Sequence, residues 1–201
     1  MRFLQHRVAL LSACLPMAIA VTACSQPPAA PPAAPAAAAG PASSASSADR
    51  GKMLVIGGGC HDCHTPMKPG PNGAEPDMTK ALSGHPESIS ITAPMKPAGP
   101  WTVATNDTNT AWSGPWGVSF AANLTPDKET GLGDWTVEEF IATMKTGRER
   151  GKGRPVLPPM PVQNLANLTD SDIRALFSYL QSLAPIKNRT PQPVEPTTEK
   201  Q

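Results

Sequence analysis

Five consecutive residues, Cys60-His61-Asp62-Cys63-His64, constrain this chain more than any other part of it. Two thiols three residues apart, with a His directly after the second, form the attachment pattern of a c-type haem. The sulfurs add across two porphyrin vinyl groups and the imidazole of His64 ligates the iron. Only 39% of the 201 residues are hydrophobic and 4% aromatic, so a core made of side chains alone would bury little apolar area. A large rigid cofactor, one haem c at the centre, supplies what the side chains lack.

Other uses of the same cysteines fit less well. The chain has four: Cys14 lies in an apolar leader, Cys24 ends it, and Cys60 and Cys63 belong to the motif, so none is left for a structural disulfide. A zinc site needs further Cys or His at ligand spacing, yet the other histidines are His6 in the leader, His61 inside the motif and His85 in a loop. A dithiol oxidoreductase needs the pair to open a helix beside a βαβ rhythm, and no strand rhythm is legible here.

The first 23 residues have the three parts of a secretory signal: Arg2, His6 and Arg7, then an apolar run, then Val21-Thr22-Ala23-Cys24. Those last four resemble the bacterial lipoprotein processing box, which implies cleavage before Cys24 and lipidation of its sulfur. Residues 24–48 are mostly Pro, Ala and Ser, too poor in large apolar groups to fold, and serve as a tether reaching at most ~70 Å. The expected setting is the periplasmic face of a bacterial membrane, the outer one favoured by Ser25, or the free periplasm if Cys24 is not lipidated. With 17 bases against 16 acids the chain offers nothing for a nucleic acid to bind.

The folded part reads as residues 49–186. The stretch 47–59 reads as a helix with Met53, Leu54 and Ile56 on its apolar side and Gly57-Gly58-Gly59 ending it. Residues 65–117 show no sustained period and read as a long loop punctuated by Trp101, Trp112 and Trp116, indoles suited to packing over an apolar surface such as haem. Thr136 and Glu139 make a capping box for a helix over 136–146, stopped by Gly147. A last helix starts at Thr169, carries Ile173, Leu176, Phe177 and Leu180 at helical spacing, and ends within 182–185. The composition of 187–201 reads as a disordered tail.

For the second axial ligand the folded region offers Met53, Met67, Met78, Met95, Met144, Met160 and His85. Met160 is favoured, because prolines on both sides of it in Leu157-Pro158-Pro159-Met160-Pro161 reduce the entropy lost in holding a flexible thioether at iron. Met53 and Met144 sit on helices where core packing is the default; Met67, Met78 and Met95 in the loop stay open. A His/Met pair saturates the iron, so such a centre passes electrons and does not activate small molecules.

Three stretches carry a family resemblance: Gly114-Pro115-Trp116-Gly117, Asn123-Leu124-Thr125-Pro126-Asp127 to Trp135, and Pro158-Pro159-Met160-Pro161 with the helix after it. With the haem motif they resemble bacterial c-type cytochromes, in particular the cytochrome domains that accompany periplasmic alcohol and sugar dehydrogenases. The resemblance implies an all-α, class I cytochrome fold wrapped around one haem; the relatives often carry several haem domains in tandem, and the single haem motif followed by the 65–117 loop insert departs from them. It also implies that Trp116, Asn123 and Arg148 lie near the haem. The implied role is that of an electron carrier and not an enzyme, with a dehydrogenase or quinol-oxidising complex as donor and an oxidase or other cytochrome as acceptor. The competing reading is a haem enzyme or gas sensor with an open sixth position.

Overall fold

In a computed structural model of the chain, residues 46–96 and 99–196 are described; the leader, Cys24 and almost all of the tether lie outside them. Three longer helices form where capping and periodicity place them. Helix α1 (Ser47–Gly57) is closed at its start by a reciprocal Ser46–Asp49 capping box. A single helical turn, α2 (Cys60–His64), carries the haem motif. Helix α3 (Val137–Thr146) has the expected Thr136–Glu139 box and ends on Gly147 at φ 66. After the short α4 (Val162–Leu165), helix α5 (Asp170–Gln181) starts from Thr169, whose hydroxyl accepts from the amide of Asp172.

The helices meet around Val55, Leu82, Leu132, Phe140, Ile173, Leu176 and Leu180, with the rings of Phe140 and Phe177 at 5.2 Å. Of the three apolar residues expected on the buried side of α1, only Leu54 packs against the core. Met53 and Ile56 are exposed, at 67% and 60%, while Gly51 and Val55 are buried. The reason is a close crossing: a Cβ on Gly51 would lie 1.9 Å from the carbonyl oxygen of Ala175 in α5, so the two backbones pack directly through that glycine. Arg50 and Asp172 join the same two helices by an ion pair of 2.9 Å.

The expectation of an all-α fold is overturned by two antiparallel sheets in and just after the stretch read as loop. Strands β1 (Met67–Gly70) and β2 (Gly73–Pro76) form a hairpin; β3 (Ala104–Thr105), β4 (Ala111–Gly114) and β5 (Gly117–Phe120) form a three-stranded sheet in that order. Strands of two to four residues are too short to show an alternating pattern. What remained readable was the turn chemistry, since two-residue turns join Gly70 to Gly73 and Gly114 to Gly117. In the second turn the Trp116 ring folds back to occupy the space a Gly114 Cβ would need, 2.6 Å away.

The stretch after α5, read from composition as disordered, is held along its described length to Pro196. Asn188 donates to the carbonyls of Ser83 and His85 at 2.7 and 2.9 Å, and Val118 and Val194 exchange backbone hydrogen bonds of 2.8 and 2.9 Å beside β5. Composition failed here because the ordering is done by partners far away in sequence.

His85 lies fully buried between these segments, its ring 4.8 Å from that of Phe120. The Ile89 carbonyl can only accept, so Nε2 carries the proton and donates to it at 3.0 Å, and Nδ1 accepts from the Thr110 hydroxyl at 2.8 Å. Burial holds this imidazole below its ordinary value of 6.5, against the opposing pull of the Ile89 bond and the charge of Asp107. The unfolded chain takes up a proton below 6.5 and the folded one resists it, so stability falls as pH drops below that value. The slope approaches about 1.4 kcal/mol per pH unit. Denaturant midpoints of the haem-loaded protein across pH 7 to 5 should show this component, and His85→Gln should flatten it; equal slopes in both would refute the assignment.

Candidate haem site

Gly59, at φ 66, turns the chain from α1 into α2, where Cys60 and Cys63 stand one helical turn apart with His64 directly after. Both thiols are half-buried and free, and burial is the main cause that raises the pKa of each. The ring of His64 is buried and its Nδ1 lies 2.8 Å from the Ala122 carbonyl just beyond β5. A carbonyl accepts only, so Nδ1 is the protonated nitrogen and Nε2 keeps its lone pair. Burial lowers the pKa of this imidazole and keeps it neutral, the form that binds a metal. A backbone bond of 2.8 Å from Gly84 to the His64 carbonyl ties the motif to the same place. Gly84 is required there, since its Cβ would fall 2.4 Å from the Ala121 oxygen.

His64 and both cysteines line one wall of a cavity of about 230 Å³. Close-packed interiors hold few voids larger than a water molecule, so a hole this size is shaped for an occupant. Its walls are mostly apolar: Val55 from α1, Trp112 from β4, Trp135 ahead of α3, Phe140 from α3, and Leu176 and Leu180 from α5. Met160 lines it from the proline-rich loop. Met144 on α3 also lines it, whereas Met53, Met78 and Met95 are more than 60% exposed and Met67 is not on its wall. The soft sulfur and imidazole donors together with apolar walls fit a haem. Glu149 and Arg154 also contribute to the lining and pair at 3.0 Å, the charged groups suited to the haem's carboxylate edge. Among the described residues no three His, Cys, Asp or Glu side chains converge as a zinc site requires.

Three residues expected near the haem by resemblance are not on this wall. Trp116 covers its own turn and donates from Nε1 to the Ser119 hydroxyl at 3.2 Å. Asn123 is a buried knot: its amide donates to the Ile186 carbonyl at 2.7 Å and its oxygen accepts from the Thr125 amide at 3.0 Å. The exposed guanidinium of Arg148 donates to the Gly153 carbonyl at 3.0 Å. The cavity uses Trp112, Trp135 and Arg154 instead, and Arg150 lies 4.8 Å over the Trp135 ring. Of the three indoles in the 65–117 stretch only Trp112 reaches the cavity, and Trp101 is 73% exposed. A basic run at 148–154 was the signal available for Arg154; nothing local in the sequence distinguishes it from Arg148.

Paired thiols and a carbonyl-oriented imidazole on the wall of an apolar cavity are the equipment of a c-type cytochrome. Comparison with known proteins points the same way. The chain is 38% identical over 77 residues to a subunit of the nicotinate dehydrogenase of Pseudomonas putida, a match that covers 38% of this chain and 6% of that protein. It is 36% identical over 80 residues to the cytochrome c subunit of the quinone alcohol dehydrogenase of Gluconobacter oxydans, 38% of this chain and 16% of the relative. The match to the fructose dehydrogenase cytochrome subunit of Gluconobacter japonicus is longer, 28% identical over 136 residues, 68% of this chain and 21% of the relative. The chain thus spans about a fifth or less of the curated relatives named here. No protein-family model matches it. The chain is similar to the cytochrome c subunits of bacterial dehydrogenases.

Proposed function

We propose that this protein is a single-electron carrier with one haem c, joined through Cys60 and Cys63 and ligated at iron by His64 and Met160. The observation that carries the reading is the placement of all four side chains on the wall of one apolar cavity. Bound there, the haem supplies one-electron ferric/ferrous chemistry. The protein's own residues set the conditions for it. The Ala122 carbonyl holds the His64 ring in one orientation and tautomer and raises its basicity. The walls from α3, α5 and β4 keep water out, which disfavours the extra positive charge of the oxidised state. Arg154 is the cation placed to meet the haem carboxylates, with Glu149 holding its guanidinium at the cavity. With the iron held by both His64 and Met160, no position would be left for peroxide or a gas.

The relatives are named as dehydrogenase subunits, which supports a dehydrogenase as electron donor, with an oxidase or a further cytochrome as acceptor. A lipid on Cys24 and the 24–48 tether would hold the domain at the periplasmic face of a membrane, free to sweep the space above it. One haem per chain is expected by pyridine haemochrome assay, and the reduced protein as isolated should bind carbon monoxide only slowly and incompletely. Rapid, complete binding would mean an open sixth position and an enzyme or sensor in place of a carrier.

A further inference from the structure

We propose that the C-terminal segment after α5, through its isolated β-bridge at Val194, is a brace that holds the Met160 loop against the cavity, acting through Ser119; this rests on the His64/Met160 reading. The loop is held at its two ends, where the Val156 amide donates to the Gly147 carbonyl at 2.8 Å and the Val162 amide to the Met160 carbonyl at 2.9 Å. Pro158, Pro159 and Pro161 have no amide hydrogens, so the segment around Met160 has little with which to build a backbone ladder. What it offers is an acceptor, and the Ser119 hydroxyl of β5 donates to the Pro158 carbonyl at 2.5 Å. The indole of Trp116 donates to the same hydroxyl oxygen at 3.2 Å, which directs the single Ser119 proton towards Pro158.

Ser119 is in turn held from both sides. On β4 it pairs with Trp112, and its neighbour Val118 gives and receives backbone hydrogen bonds with Val194 of the C-terminal segment. The segment passes so close to the hairpin that a Cβ on Gly117 would lie 2.0 Å from the Val194 oxygen. It has no freedom to float, because Asn188 clamps it to the Ser83 and His85 carbonyls further along. Beside Val194, Pro193 lines the haem cavity itself. A path of hydrogen bonds, carried across the Val118–Ser119 peptide of β5, therefore runs from the tail segment to the loop bearing the proposed thioether ligand. Ser119 and Val194 are positioning residues: neither side chain is offered as a ligand, and both act on how long Met160 stays in place.

Val194→Pro removes the amide that donates to the Val118 carbonyl, and Ser119→Ala removes the hydroxyl that holds Pro158, while Ser119→Thr keeps that hydroxyl. Each is compared as haem-loaded protein of equal haem content. The wild type is expected to show the far-red sulfur-to-iron band when oxidised. Both Val194→Pro and Ser119→Ala should weaken that band and speed carbon monoxide binding to the reduced protein roughly fivefold, the effect of losing one hydrogen bond. Ser119→Thr should behave as wild type. A wild-type band with unchanged carbon monoxide rates in both variants overturns the brace alone, as does Ser119→Thr behaving like Ser119→Ala. A wild type without the band overturns the Met160 ligation and the brace with it. Should Val194→Pro fail to load haem, Asn188→Ala, which releases the same segment from the Ser83 and His85 carbonyls, takes its place: a weakened band and faster carbon monoxide binding support the brace, and wild-type behaviour overturns it.

Discussion

Met160→Ala is expected to remove the far-red absorption of the oxidised protein entirely, to let carbon monoxide bind the reduced iron rapidly, and to lower the reduction potential. The thioether favours the ferrous iron, so its removal shifts the balance towards the oxidised form. A methionine that merely filled core space would behave differently, costing about 2–5 kcal/mol of stability on truncation with the spectrum unchanged. The cavity narrows the alternatives. Among the described methionines only Met144 shares the wall with Met160, so a band that survives in Met160→Ala should vanish in Met144→Ala. Survival in both variants would pass the ligand role to another methionine and overturn Met160 as the ligand; absence of the band from the wild type would remove sulfur ligation from the account.

Gly51→Val has the largest expected effect on folding. A Cβ there would sit 1.9 Å from the Ala175 carbonyl oxygen and 2.8 Å from the Tyr179 Cβ, and the first obstacle is helix backbone that has no other rotamer to adopt. Helices α1 and α5 must part, which strains the core at Val55 and Ile173 and the cavity wall at Val55 and Leu176. A loss of about 3 kcal/mol or more is expected, read as a lower denaturant midpoint of the haem-loaded protein. Gly57→Ala is the control, because nothing lies within 4 Å of its Cβ position. It should be neutral or add about 0.5–1 kcal/mol through helix propensity. Equal behaviour of the two variants would show that the crossing is looser than its geometry.

Much of this was visible in the order of residues, and the parts that were not have physical reasons. The capping box at Thr136 and Glu139 and the stop at Gly147 are local signals satisfied within a few residues, so helix α3 could be read directly. The buried face of α1 could not: glycine looks like an absence of preference until Ala175 is placed above it. The strands β3 to β5 were hidden because each is shorter than the pattern that reveals a strand, and their pairing is decided by neighbours. Trp116, Asn123 and Arg148 were drawn to the haem by resemblance, yet turn, knot and loop contacts occupy them, and Trp112 and Arg154 line the cavity instead.

The sequence by itself determined the chemistry: two thiols and an imidazole in five residues admit a covalent haem and little else, because the bonds they form are set by spacing along one helical turn. It also determined the helices whose caps lie within reach of their own ends. Only the tertiary structure decided which nitrogen of His64 is tied up by a carbonyl, which methionines and arginine reach the cavity, and that the C-terminal segment bridges to β5 at Val194. Those depend on the Ala122, Ser119 and Val118 backbone and side-chain groups arriving from distant parts of the chain. A hydrogen bond formed across such a distance leaves no period or motif behind, since either partner alone is an ordinary residue.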